Sequence, residues 1–252
     1  MIKFYSDNLI HQSIITPSTE NLLFPVANLK SYFRTKVFRS TEHTCSVVFD
    51  FQESCEIDSV FLLDEVRNGF GINRIRLELN AVNAWSDPEF SIPLSMNEIH
   101  GHAFADFPSK RFRFARLVMD SGLDYCELSK LFIGKKITFE NNMGINLGWS
   151  FRENDLSNIR SNRYGQKFVD IVSRQKEINF SISSMNKTEL DQILEVYDTK
   201  GTTRPFFIKI GDDSMINDSS RFAGMFYLAS MPTITNSSYG LYDISMNVEE
   251  AT

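Results

Sequence analysis

Few residues in this sequence have the types and spacing that chemistry requires. His100-Gly101-His102 places two imidazoles two residues apart, on one face of the chain if it is extended there. Such a pair supplies part of a metal shell, but no third His or carboxylate follows at a diagnostic spacing. No metal is expected, and His11 and His43 stand alone. Cys45, Cys55 and Cys126 are an odd number, with no CxxC and no His at zinc spacing. Reduced, buried thiols in a reducing compartment are the expectation. The acid pairs Asp212-Asp213 and Glu249-Glu250 read as solvated surface, since nothing in the sequence sets them across a glycosidic bond. Nucleophile-elbow, phosphate-loop, dinucleotide, zinc-protease and EF-hand motifs are absent. No catalytic residue and no cofactor are therefore expected.

Three features point to contact rather than catalysis. Lys110-Arg111-Phe112-Arg113-Phe114-Ala115-Arg116 interleaves charge with aromatic rings, a pattern that can stack bases. Its period of two equally describes an amphipathic strand with Phe inward and Arg outward, and that reading is favoured by the acidic total. Arg160-Ser161-Asn162-Arg163-Tyr164-Gly165 falls in a loop-like stretch. Arg and Tyr are residue types that carry interface energy, so Arg160, Arg163 and Tyr164 are candidates for contact with a second copy or a partner. Trp85, close to Asp87, is a candidate platform for stacking a sugar ring, although a lone Trp is commonly core.

The elements that must position these residues are built from 252 residues, enough for one large domain or two modest ones. Apolar residues make up 42% and charged residues 23%, ordinary values for a chain with a packed core. Net charge is 26 − 32 = −6. Residues 1–136 carry 15 basic and 17 acidic side chains, and residues 137–252 carry 11 and 15, so neither half has the charge of a nucleic-acid binder. No apolar run reaches about 18 residues, so no membrane insertion is expected. The first residues lack an apolar signal core, which makes the sequons at Asn179, Asn186, Asn217 and Asn236 chance matches. Phe, at 22 residues, favours flat β layers.

Periodicity predicts strands at Cys45–Phe51 and Ile57–Leu63, with a turn at Gln52-Glu53-Ser54. Ile72–Leu79 alternates cleanly, with Ile75, Leu77 and Leu79 on one side and Arg74, Arg76 and Glu78 on the other. Arg111–Met119 and Glu127–Ile133 read as strands, and residues 81–110, with Pro88, Pro93 and Pro108, as loops with short strands. The style changes after Gly134-Lys135-Lys136, giving domains at 1–136 and 137–252. The second is strand-rich with one helix at 187–199. There Asn186 and Glu189 form a capping box, Leu190, Ile193, Leu194 and Tyr197 make an apolar face, and Gly201 is the stop. Strands follow at 205–210, 223–228 and 241–248. The fold class is mainly β: a sandwich, then a β domain with one helix.

Several segments then match a known pattern in order. Phe24-Pro25-Val26-Ala27-Asn28-Leu29, Phe38-Arg39-Ser40, Val47–Phe51 and Ile57–Leu63 resemble the opening of discoidin-like (galactose-binding-like) jelly rolls. Phe38 stands where Trp is usual in that family, and Phe51-Gln52 where Leu-Gly is usual. The loop at 158–165, Arg174, the helix, Gly201–Pro205 and the Glu249-Glu250 ending resemble virion structural proteins of long-tailed bacteriophages. In that family a discoidin-like domain is paired with a tail-tube-like β domain. The resemblance implies a tail-tip or baseplate role: a distal-tail-like ring, often a hexamer, joining tail tube to hub and receptor-binding protein. It places the protein in the virion tail, after assembly in the host cytoplasm. A discoidin-type module for host-surface glycans, and a collar or connector position, are the alternatives it leaves.

Overall fold

The computed structural model describes residues 2–63, 71–97, 101–139, 149–170, 174–211 and 222–251. The protein is mainly β, with one α-helix among the described residues. By contacts it forms two compact units. The first comprises residues 3–137 and 207–224, the second residues 1–2, 138–206 and 225–252.

In chain order the first unit holds β1 (Ile2–Asn8), β2 (Ile14–Pro17), β3 (Phe38–Arg39), β4 (Thr44–Leu63), β5 (Ile72–Asn80), β6 (Phe90–Pro93), β7 (Ser95–Asn97), β8 (His102–Ser121), β9 (Glu127–Leu128) and β10 (Lys130–Thr138). The second holds β11 (Trp149–Asp155), β12 (Asn158–Ser161), β13 (Lys167–Asp170), β14 (Arg174–Met185) and α1 (Lys187–Lys200). Next, β15 (Phe206–Ile210) belongs almost wholly to the first unit, and β16 (Ala223–Leu228), β17 (Thr233–Ser238) and β18 (Leu241–Glu250) mostly to the second.

The first unit runs β15-β1-β10-β4-β8-β5-β6, with β2 on β4 and β7 on β8. Its frame is the antiparallel pair β4–β8, both 20 residues long. The expected turn at residues 52–54 is instead a bend inside one continuous strand. Gln52 adopts φ 68 and the register slips between Asp50 and Cys55. A bulge of this kind bends a strand without ending it. Pro108 is also inside a strand, not a loop, where the register slips again between Ile57 and Ser59. A bulge tolerates the missing N–H. Before the bend β4 pairs with β2, and after it with β10. Val47 and Phe49 from one half and Val60 and Leu62 from the other share one core with Leu77, Leu117 and Leu131. The sheet therefore folds over on itself as a sandwich.

The alternate residues of the β10 and β4 layer are buried as well. Tyr5, Phe61, Phe132 and Phe207 pack ring against ring, with centroids 5.2–6.1 Å apart. A layer buried on both faces accounts for much of the Phe content, each ring contributing about 2 kcal/mol of burial. The loop before β3 is held by Lys130, 2% exposed, whose Nζ donates to the carbonyls of Asn28 (3.3 Å), Lys36 (2.7 Å) and Ser129 (2.8 Å). A buried ammonium persists only when it is compensated in this way.

The second unit runs β11-β14-β18-β16, with β17 on β18. Ile178, Phe180 and Ile182 of β14 and Ile244, Met246 and Val248 of β18 are buried, and α1 packs against these two strands. Both halves of the capping box are present: Asn186 Oδ1 accepts from Glu189 N, and Glu189 Oε2 accepts from Asn186 N, each at 2.9 Å. The buried stripe is Leu190, Ile193, Val196 and Tyr197. Val196 is buried where Leu194 was expected, a rotation of the helix by part of a turn. β12 and β13 stand apart as a two-stranded sheet.

Candidate functional site

Trp85 lies on the loop between β5 and β6 of the first unit. Its indole Nε1 donates to Asn83 Oδ1 at 2.7 Å, and the Arg116 guanidinium sits 4.7 Å from the ring centroid. Arg116 Nη2 also donates to the Trp85 carbonyl (3.3 Å), while its Nε donates to Glu78 Oε2 (2.7 Å). Arg76 reaches the other oxygen of Glu78 at 2.7 Å. The loop base is closed by Asn80, which donates to the Ala84 carbonyl at 2.5 Å. Trp85 is thus half-buried and locked at its edge and against a cation, while Asn83, Ser86 and Asp87 around it are exposed. A ring fixed in this way offers a rigid apolar surface beside polar groups.

The alternation in β8 explains why Arg116 is available. Ala115, Leu117 and Met119 point into the core and Arg116 points out. The expectation of Phe inward holds for Phe112 but not for Phe114, which is half-buried where the strand changes layer. Arg113, beside it, grips Asp50 through Nε (2.8 Å) and Nη2 (2.9 Å), and this holds the Asp50 carboxyl below its usual range. Two of the cluster's cations are therefore engaged by carboxylates of the same sandwich. Of the His pair, His100 lies outside the described residues, and His102 is buried with its ring stacked on Phe61 at 5.6 Å. Among the described residues no group of three or more His, Cys, Asp or Glu is placed to hold a metal ion. Asp212 and Asp213 lie outside the described residues. Glu250 is buried and Glu249 is on the opposite side of β18.

Arg160, Arg163 and Tyr164 come together in the second unit, on the hairpin β12–β13. Arg160 is in a strand, not the expected loop, paired with Phe168. The turn is organised by Asn162, whose Oδ1 accepts from Tyr164 N (2.9 Å) and Gln166 N (3.0 Å), with Gly165 at φ +79. Only glycine takes that conformation without strain. Arg163 lies over the Tyr164 ring at 4.7 Å. Tyr164 is 74% exposed and Phe168 60%. Phe168, across the ribbon from Arg160, extends that surface beyond the residues the sequence singled out, and Lys167, paired with Ser161, lies on the ribbon's other face. Their signal is the cross-strand register, which is invisible until the turn is placed.

A third polar surface lies on the outer face of β11, β14 and β18. Glu177 accepts there from Arg152 (2.6 Å), Asn154 (3.1 Å), Asn179 (3.4 Å) and Asn247 (3.3 Å). Asn154, then Arg152 and Asn179, hold its carboxyl below the usual range. A trough of about 510 Å³ beside it is lined by apolar Trp149, Phe180 and Met246 as well as by polar groups such as Ser150, Asn179 and Asn247.

No family model and no curated protein matches the chain. Solved structures similar to it include CpGH89CBM32-5 from Clostridium perfringens, in complex with GalNAc-β-1,3-galactose, at 12% identity and TM-score 0.43, covering 51% of this chain and all of that one. A fucose binding module of Streptococcus pneumoniae is similar at 13% identity and TM-score 0.42, covering 51% of this chain and 95% of that one. A Ruminococcus gnavus fucosidase in complex with fucose is similar at 11% identity and TM-score 0.46, covering 53% of this chain and 28% of that one.

Proposed function

We propose that this protein is a non-catalytic glycan-recognition protein that stacks a sugar ring on Trp85. Likeness at 11–13% identity transfers no ligand, and sugar binding is inferred from Trp85 itself. The observation that carries it is the locking of the indole by Asn83 and Arg116 on a solvent-facing loop. A pyranose presents an apolar CH face to such a ring, and an already immobilised side chain loses little entropy on binding. Asn83, Ser86 and Asp87 supply partners for sugar hydroxyls. Labelled protein on a glycan array tests this. Binding to a set of glycans, abolished in Trp85→Ala with unchanged circular dichroism, is the expected result. An array without a wild-type binder overturns it.

A second reading is favoured by the exposed hairpin: a structural component of a bacteriophage tail tip, in a distal-tail-like ring that joins tail tube to hub and receptor-binding parts. Arg160, Arg163 and Tyr164 then serve subunit contacts, and glycan recognition takes place at the tail end. Light scattering with negative-stain imaging of the purified chain tests it. Closed rings support it, and a monomer at every concentration and salt counts against it.

A further inference from the structure

The hairpin β12–β13 carries its charge against the sign of the whole. Residues 158–170 contain Arg160, Arg163, Lys167 and Asp170, a net of 3 − 1 = +2, while the rest of the chain carries −6 − 2 = −8. Among the described residues the hairpin forms a sheet with no third strand. A two-stranded ribbon is marginal alone in water, and this one also exposes Tyr164 and Phe168. Aromatic rings and Arg at the tip of such a ribbon are the composition of an interface centre.

The same unit carries a complementary stripe. On α1, Asp191, Glu195 and Asp198 are all exposed. Their i, i+4, i+7 spacing sets them on one helix face, opposite the stripe formed by Leu190, Ile193 and Tyr197. The three acids span about 10 Å along the helix at about 1.5 Å per residue. Among the described residues no ion pair joins hairpin to helix within one chain.

We infer that the hairpin of one copy docks on the outer face of α1 of the next copy, with Arg160 and Arg163 opposite Asp191, Glu195 and Asp198. The contact uses two different patches, so it is heterologous: it closes into a ring or runs on as a filament. This rests on the assembly reading above and names the surfaces that make the assembly.

Two charge-reversed forms of the full chain test it. One carries Arg160→Glu and Arg163→Glu; the other carries Asp191→Lys, Glu195→Lys and Asp198→Lys. All substitutions are at exposed positions, and circular dichroism and thermal melts confirm the fold of each. The wild type is expected to associate in light scattering and to weaken as salt rises. Each reversed form alone is expected to lose association by about tenfold or more, because like charges then meet. Mixing the two forms equally restores opposite charges at every junction, and assembly is expected to return. If the wild type associates but the helix reversal leaves its mass unchanged, or the mixture stays dispersed, this contact is overturned while the ring reading stands. A wild type monomeric at low and high salt overturns both.

Discussion

Arg116 lays its guanidinium on the Trp85 ring, 4.7 Å from the centroid, while its Nε holds the Glu78 carboxylate at 2.7 Å. One side chain thus both braces the candidate sugar platform and compensates an acid that is only 2% exposed. Arg116→Ala removes both roles. Among the described residues Glu78 then keeps only the half-exposed Arg76 as ion-pair partner. Stability is expected to fall by about 2 kcal/mol in chemical denaturation, the cost of an undercompensated buried group. Arg116→Lys, which keeps charge but not the planar stack, should recover part of the stability and little of any glycan binding. Equal stability of Arg116→Ala and the wild type would show that Glu78 is satisfied without it.

Gly134 sits inside β10 with no room for a side chain. A Cβ there would lie 2.3 Å from the Asp7 carbonyl oxygen and 3.0 Å from the Phe132 ring. The first of these is backbone and cannot rotate away. Gly134→Ala is expected to cost about 3 kcal/mol or to prevent folding, through overpacking. Expression of soluble protein and its melting temperature report the result, and a variant that melts like the wild type would contradict the close approach.

The capping box of α1 predicts a smaller effect. Asn186→Ala removes the acceptor for Glu189 N and should cost about 1 kcal/mol. Asn186→Ser or Asn186→Asp should retain most of it, because their side chains accept the same bond. Urea denaturation of the three variants separates loss of the cap from a general effect of substitution.

Burial pushes the Cys126 thiol from an ordinary 9.0 up to about 11, with the nearby Cys45 adding to it. At pH 8 about one thiol in a thousand is then ionised, so alkylation of folded protein should be far slower at Cys126 than in urea. The folded value is raised, so the thiol's contribution to stability is complete below the unfolded value near 9. It is lost as pH climbs towards about 11. Mass spectrometry of alkylated peptides across pH measures both. A Cys126 that reacts half-maximally near pH 8.5 in the folded chain would disprove the shift.

Local grammar was enough for some elements and not for others. The helix was legible to within a residue, because its cap, its apolar stripe and its stop all lie within one run of chain. The strand Ile72–Asn80 was legible as well, since alternation is a property of neighbours. The same alternation put Glu78 on the solvent face, yet it is buried, because Arg116 from elsewhere in the chain pairs with it. The turn expected at residues 52–54 became a bend in β4, because β8 supplies partners on both sides of it. Arg160, Arg163 and Tyr164 were visible as residue types suited to contact; that Phe168 joins Arg160 on one ribbon face while Lys167 takes the other follows only from the hairpin register. The sequence by itself determined the mainly β character, the helix and the residues able to make contacts, all set by short-range periodicity and composition. Tertiary structure alone decided which charges are buried, where the long strands bend and which contact residues share a surface. Those outcomes depend on partners brought together across distant stretches of chain.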